Sequence, residues 1–262
     1  MSEIKIEFAV QMSGEKCSEK VKKSLEGVGE ISINLKEGRV VVTTKHPWSD
    51  IQDRIEKTGR TAVLCGFGGK SAVAMINNSD SKSLTKVQGV VRFSAINNEE
   101  SGCVVDGVID GLSPGLHGIH LHECGDISAG YESLGGHYNP RGSPHGSPEN
   151  SADKRHVGDL GNIRADEEGR ATFRFIDPLV EVWDIIGRSV VVTENPDDLG
   201  RGGNERSLID GNSGDRIACG IIARSAGILQ NYKKICACDG VTLWDERNKP
   251  LAGGNRNTNG KL

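Results

Sequence analysis

HGIHLHECGD occupies residues 117–126 and decides how the middle of this chain is read. His120 and His122 stand two apart, so a β-strand sets both imidazoles on one face and turns Ile119 and Leu121 to the other. Six of the seven histidines fall between positions 117 and 156. His137 and His145 lie in a stretch from Glu123 to Asp159 with almost no apolar periodicity, and His156 and Asp159 stand at its end. A loop of that length inside a compact domain is usually functional, or braced by something other than a core. Three imidazoles and a carboxylate form a tetrahedral zinc set, and zinc would brace the loop that packing cannot.

Outward from that stretch the chain divides into three. From about Ala72 to about Ala226, runs such as VQGVVRFSA, CVVDGVI and SVVVT alternate with Gly, Asn, Asp and Pro clusters. That pattern predicts an antiparallel sandwich or barrel. Before it, Ile4, Ile6, Phe8 and Val10 alternate with Lys5, Glu7 and Ala9, the period of a half-buried strand. Cys17, Val21, Leu25 and Val28 recur at helical spacing, as do Trp48, Ile51 and Ile55 after Pro47. With strands over Ile31–Leu35, RVVVTT and TAVLC, the order is β-α-β-β-α-β, that of a ferredoxin-like fold. GFGG (66–69) reads as a linker or sharp turn. The last segment has too little apolar mass for a domain. VTLW (241–244) is its one candidate for docking, and GGNRNTNGKL reads as disordered. The expected domains are 1–69, 70–226 and 227–262.

Composition bounds the function. Hydrophobic residues at 35% and charged ones at 26% support a folded core, while 35 glycines and 4% aromatics favour a turn-rich β protein. No apolar run is long enough for a membrane span, and no polybasic or aromatic-basic tract suggests nucleic acid. MSEIKIEFAV has no basic stretch followed by an apolar block, and seven cysteines are an odd number, so free thiols in the cytoplasm are expected. Cys65 and Cys103 fall in apolar strands and read as small buried hydrophobes. ICACDG (235–240) sets Cys236 and Cys238 one residue apart, after Lys233 and Lys234, which favour thiolates. Soft Cu(I) is held well by such a pair, which can also exchange with a disulfide.

The series HGIHLHECGD, GGHYNP, PHGSP, RHVGDLGN, DDLGRGGNE and GNSGDRIACG resembles the motifs of Cu,Zn superoxide dismutase, in that family's order. The resemblance implies an eight-stranded Greek-key barrel and a zinc site of His137, His145, His156 and Asp159. It implies that Asp197 links the two metal sites and that Arg216 is the cation over the channel. It also implies copper ligands His120, His122 and the bridging His137. The fourth copper histidine is absent: VVVTEN places Thr193 there, and a neutral hydroxyl is a poor copper ligand. The family's loop cysteine aligns with Tyr131, while its partner matches Cys219. Cys219 is then either a free thiol or a redox partner of Cys124.

MSGEKC (12–17) is similar to the Met-x-Cys-x-x-Cys loop of small copper-carrying domains, with Gly14 in place of the first cysteine. QNYKKICACDG resembles the tail of the copper chaperones for superoxide dismutase. The implied reading is a metallochaperone and not an enzyme. Cys236 and Cys238 would deliver Cu(I) and exchange disulfides, and Cys17 would be a degenerate copper position. The barrel would hold structural zinc and pair with a dismutase subunit through a dismutase-like interface, or with its own copy. Two alternatives stay open: a divergent dismutase of weak activity, and a zinc-only structural paralogue.

Overall fold

The computed structural model describes residues 3–78, 87–96, 101–230 and Trp244. Two compact units emerge: residues 1–71 with 225–262, and residues 72–224.

The first unit runs β1 (Ile4–Val10), α1 (Glu15–Ser24), β2 (Gly29–Asn34), β3 (Arg39–Thr44), α2 (Trp48–Glu56) and β4 (Ala62–Phe67). Its sheet has the order β2-β3-β1-β4, the ferredoxin-like arrangement the sequence predicts. Ile6, Phe8 and Val10 of β1 are fully buried, as are Val21, Leu25, Ile51 and Ile55. Each such side chain contributes about 1.5–3 kcal/mol relative to an exposed one. Pro47 caps α2, where its fixed φ fits and its missing N–H costs nothing.

Two local expectations are corrected. β4 continues through Gly66 and Phe67, so GFGG begins as strand and not as linker. More consequentially, the second face of β1 is not solvated. Glu7 is 0 % and Ala9 3 % exposed, although both stand at the polar phase of the alternation. Residues from the end of the chain cover them: the Leu229 N–H donates to Glu7 Oε2 at 2.7 Å, and Trp244 packs on Ala9, Val63 and Cys65. Of VTLW, Trp244 is the residue described, and it packs here; the other three lie outside the described residues.

The second unit is a closed antiparallel barrel of eight strands: β5 (Ser71–Asn77), β6 (Gln88–Ala95), β7 (Cys103–Asp110), β8 (Gly115–His122), β9 (Asp159–Ala165), β10 (Ala171–Asp177), β11 (Ser189–Thr193) and β12 (Arg216–Arg224). Their order around the barrel is β10-β7-β6-β5-β12-β11-β8-β9. Ile119 and Leu121 point into its core with Phe93, Val105, Ile163 and Val190. Cys103 is fully buried there, as its apolar strand predicts. Short helices α3 (Val182–Ile185) and α4 (Ser207–Asp210) sit in the connections. Arg155, 1 % exposed, holds the long loop down by donating to both Asp177 oxygens at 2.7–2.8 Å and to the Asp159 carbonyl at 2.8 Å. Such a pair is sustained by the three bonds its Nη atoms make, since desolvation offsets much of its attraction.

Gly107 of β7 gives the opposite Phe173 its space: a Cβ there would lie 2.4 Å from the ring. Gly107→Ala is expected to lower barrel stability by about 1–3 kcal/mol through overpacking. Denaturant unfolding checks it, and an unchanged midpoint would contradict this packing.

Candidate metal centre

β8 delivers His120 and His122 on the face opposite Ile119 and Leu121, and both are buried. The loop then folds back so that His137 bridges to His122, and the Tyr138 and Gly158 backbones pair with each other and with Leu121. This pairing gives the irregular loop its backbone partners and sets His137, His145 and His156 beside Asp159 at the start of β9.

Asp159 is the convergence point. The Nδ1 atoms of His137, His145 and His156 lie 2.9, 2.9 and 3.1 Å from its Oδ1. Its Oδ2 accepts the backbone N–H groups of Gly146 at 3.0 Å and His156 at 2.8 Å, which fix the carboxylate. One oxygen cannot accept three well-aligned N–H bonds, and the buried His145 Nδ1 has no hydrogen bond of acceptable geometry despite its short distance. The four donor atoms lie within 4.8 Å of one another. Three imidazole nitrogens and a carboxylate oxygen, closed from solvent, fit zinc.

Asp197 joins this cluster to its neighbour. Its Oδ1 meets His145 Nε2 at 2.8 Å and its Oδ2 meets His120 Nε2 at 3.0 Å. The Asn162 amide orients it, donating to the Asp197 carbonyl and accepting its N–H, both at 2.8 Å. His120 Nδ1 and His122 Nε2 are buried without hydrogen-bond partners. Their rings lie 4.1 and 5.0 Å from that of His137. Two orphaned nitrogens beside a third imidazole fit a second metal position. Thr193 completes nothing there: its Oγ1 is directed to the Gly118 and Asn195 carbonyls at 3.2 and 3.3 Å.

Protonation follows from this geometry. Burial, then the charge at His120, holds His137 down to about 3. Burial and the neighbouring His137 and Arg216 also push His122 well below its ordinary value. Burial alone would lower His145 too, but it faces Asp159 on one nitrogen and Asp197 on the other, and these raise it to about 9. Asp197 is held at about 2, since its bonds to His120 and His145 outweigh its burial. His137 and His145 move oppositely because a single carboxylate compensates one charge, and only His145 has a second.

The other candidates supply no donor atom to this cluster, although Arg216 neighbours His122. Tyr131 ties the loop to the barrel with a hydrogen bond, donating to the Ile217 carbonyl at 2.8 Å. Its ring packs on Cys219, Leu134 and Val191. Arg216 donates to the Tyr131 carbonyl and, at 2.9 Å, to that of Gly135. Cys219 is buried and Cys124 exposed, and both are free thiols. In the first unit Cys17 lies at the start of α1 with its sulfur 3.4 Å from Ser13 Oγ and 3.0 Å from Arg60 Nη2. Hydrogen bonds from Ser13, then Arg60, lower the thiol to about 7. Sequence reading missed Arg60, which stands 43 residues away and carries no local signal. Cys236 and Cys238 lie outside the described residues.

Without metal, the stability of the barrel depends on pH through these histidines. Below the ordinary histidine value of 6.5 the unfolded chain binds protons that folded His137 and His122 refuse, so stability is lost as pH falls from 6.5 towards 3. Above it folded His145 keeps a proton the unfolded chain has released, so its contribution is lost as pH rises from 6.5 through 9. Metal-free barrel stability is expected to peak near 6.5, measured by denaturant unfolding across pH; a flat profile would contradict the assignment.

Comparison with known proteins agrees with this architecture. Residues 87–222 match the family model for copper/zinc superoxide dismutase and residues 7–61 that for the heavy-metal-associated domain. A crystal structure of the clock protein EA4 superposes with a TM-score of 0.52 at 38% identity, covering 58% of this chain and 93% of that one. The copper chaperone for superoxide dismutase of Homo sapiens is 49% identical over 260 residues, and that of Sus scrofa 50% identical. Both alignments cover 96% of this chain and 92% of the relative. At that identity over nearly its whole length, the chain belongs to the family of copper chaperones for superoxide dismutase.

Proposed function

We propose that this chain carries copper as Cu(I) to Cu,Zn superoxide dismutase and helps form the target's disulfide. The observation that carries the reading is Thr193. The zinc-type set converges fully on Asp159, whereas the second position has two orphaned imidazole nitrogens and a hydroxyl committed to backbone carbonyls. A barrel so built can keep the dismutase shape while leaving redox chemistry to its target.

The proposed division is 1–69, a copper-carrier-like domain; 70–226, the dismutase-like barrel; and 227–262, the Cys-x-Cys tail. His137, His145, His156 and Asp159 would hold zinc, which when bound braces the loop from Glu123 to Asp159. His120, His122 and Thr193 are the residual copper-site positions, with Asp197 positioning His120 and His145. The barrel would meet a dismutase subunit through a surface like the one that pairs such barrels with themselves, so that hetero- and homodimers compete for it.

Cargo copper would ride on the Cys236 and Cys238 thiolates, soft donors matched to Cu(I). Cys17 contributes a single sulfur, and with Gly14 in place of a second cysteine it needs a donor from elsewhere. Disulfide formation would be an exchange. Once Cu(I) has left and dioxygen has taken two electrons from the pair, a target thiolate attacks the resulting Cys236–Cys238 disulfide, releases one tail thiolate and forms a mixed disulfide. The second target thiol resolves it, leaving the target oxidised and the tail reduced. The compartment consistent with such thiols is the cytoplasm. Among the described residues no helix is long and apolar enough to cross a membrane.

The test is a dismutase assay of Cu(I)-loaded protein with a copper chelator present. The protein would be assayed alone, then with zinc-loaded, copper-free, disulfide-reduced superoxide dismutase. Activity is expected only in the mixture and is expected to be lost in Cys236→Ser/Cys238→Ser. Activity in the protein alone would make it a dismutase. Full activation by the double variant would move the copper path to other thiols.

A further inference from the structure

A ferredoxin-like sheet backed by helices on one side has a second face. In the first unit that face is buried over β1 and β4. Glu7, Ala9, Val63 and Cys65 are 0, 3, 7 and 5 % exposed. A fully buried carboxylate is costly unless it is paired. Glu7 pairs with Arg39 at 3.4 Å through one oxygen and accepts the Leu229 N–H through the other.

The covering chain is this protein's own C-terminal segment. The Phe67 N–H donates to the Ala226 carbonyl, and Phe67 forms a parallel bridge with Gly227. Gly66 lets that backbone lie flat: a Cβ there would stand 2.5 Å from the Gly227 carbonyl oxygen. Farther along, Trp244 packs on Ala9, Val63 and Cys65 and walls a groove of about 360 Å³ that also touches Met12, Gly38 and Arg39. The contacts come in two sets, separated by the Cys-x-Cys pair in sequence.

We propose that the open face of this sheet is the docking surface for the chain's own C-terminal segment, held near Leu229 by Glu7 and β4 and at Trp244 by Ala9, Val63 and Cys65. Three properties favour this occupant over a second copy or another protein. The segment is covalently attached, so docking has a high effective concentration. Its backbone supplies an N–H that Glu7 Oε2 accepts. Its tryptophan is the large aromatic that covers three small apolar side chains. Cys236 comes six residues after Gln230, and Cys238 six residues before Trp244. Six residues span at most about 21 Å, so each cysteine is leashed to this unit while both anchors hold. The device restricts the reach of the pair, and undocking at Trp244 lengthens the leash. None of this depends on what the cysteines carry.

Cys65 reports the docking, because its thiol lies beneath Trp244 and burial raises its pKa. Its alkylation would be followed by peptide mapping in the full metal-free chain, in Trp244→Ala and in Gly66→Ala. Amide exchange of β1 and β3 would check that the unit stays folded. Each variant is expected to alkylate at Cys65 about tenfold faster, since such reactivity tracks the open population. A peptide spanning residues 239–250 is expected to restore protection to Trp244→Ala. Unchanged alkylation in both variants would overturn the proposal. So would protection that rises with protein concentration, which would assign the face to a second copy.

Discussion

Asp159 Oδ1 is the point on which the barrel's functional half depends. One atom draws the side chains of three histidines that the chain delivers from a loop with no hydrophobic period. Without a cation the arrangement is frustrated: one oxygen faces three nitrogens, and His145 must carry a proton to remain between Asp159 and Asp197. These three nitrogens and the carboxylate oxygen are a set that could close around a cation. The loop's backbone, tied through Tyr138, Gly158 and the buried Arg155, is thus shaped around charge and not around apolar mass.

The same site explains why a dismutase-like barrel need not be a dismutase. Asp197 couples the zinc-type cluster to His120, so the scaffold for a second metal is retained. Thr193 removes one ligand and turns its hydroxyl to backbone carbonyls. Tyr131 anchors the loop through its phenol hydrogen bond to Ile217 and its ring packing on Cys219, Leu134 and Val191.

Much of this was legible in the sequence because it is local. The period of two in Ile4–Val10 and the His-x-His of β8 fix which side chains share a face. The motif series resembling the dismutase family picks out the ligands, whose grouping the barrel then brings about. What was not legible is tertiary. Arg60 meets Cys17 across 43 residues, and Arg155 meets Asp177 across 22. The burial of Glu7 is not in the alternation, which shows only that a strand has two faces, not that a segment some 220 residues later covers the second. The pairing of GFGG with Gly227 escaped for the same reason.

Zinc-edge X-ray absorption on the full chain loaded with one equivalent of zinc tests the central claim most directly. The account predicts a first shell of nitrogen and oxygen only, with imidazole scattering beyond it and no sulfur. A sulfur shell would place the metal on the cysteines and contradict the assignment of His137, His145, His156 and Asp159.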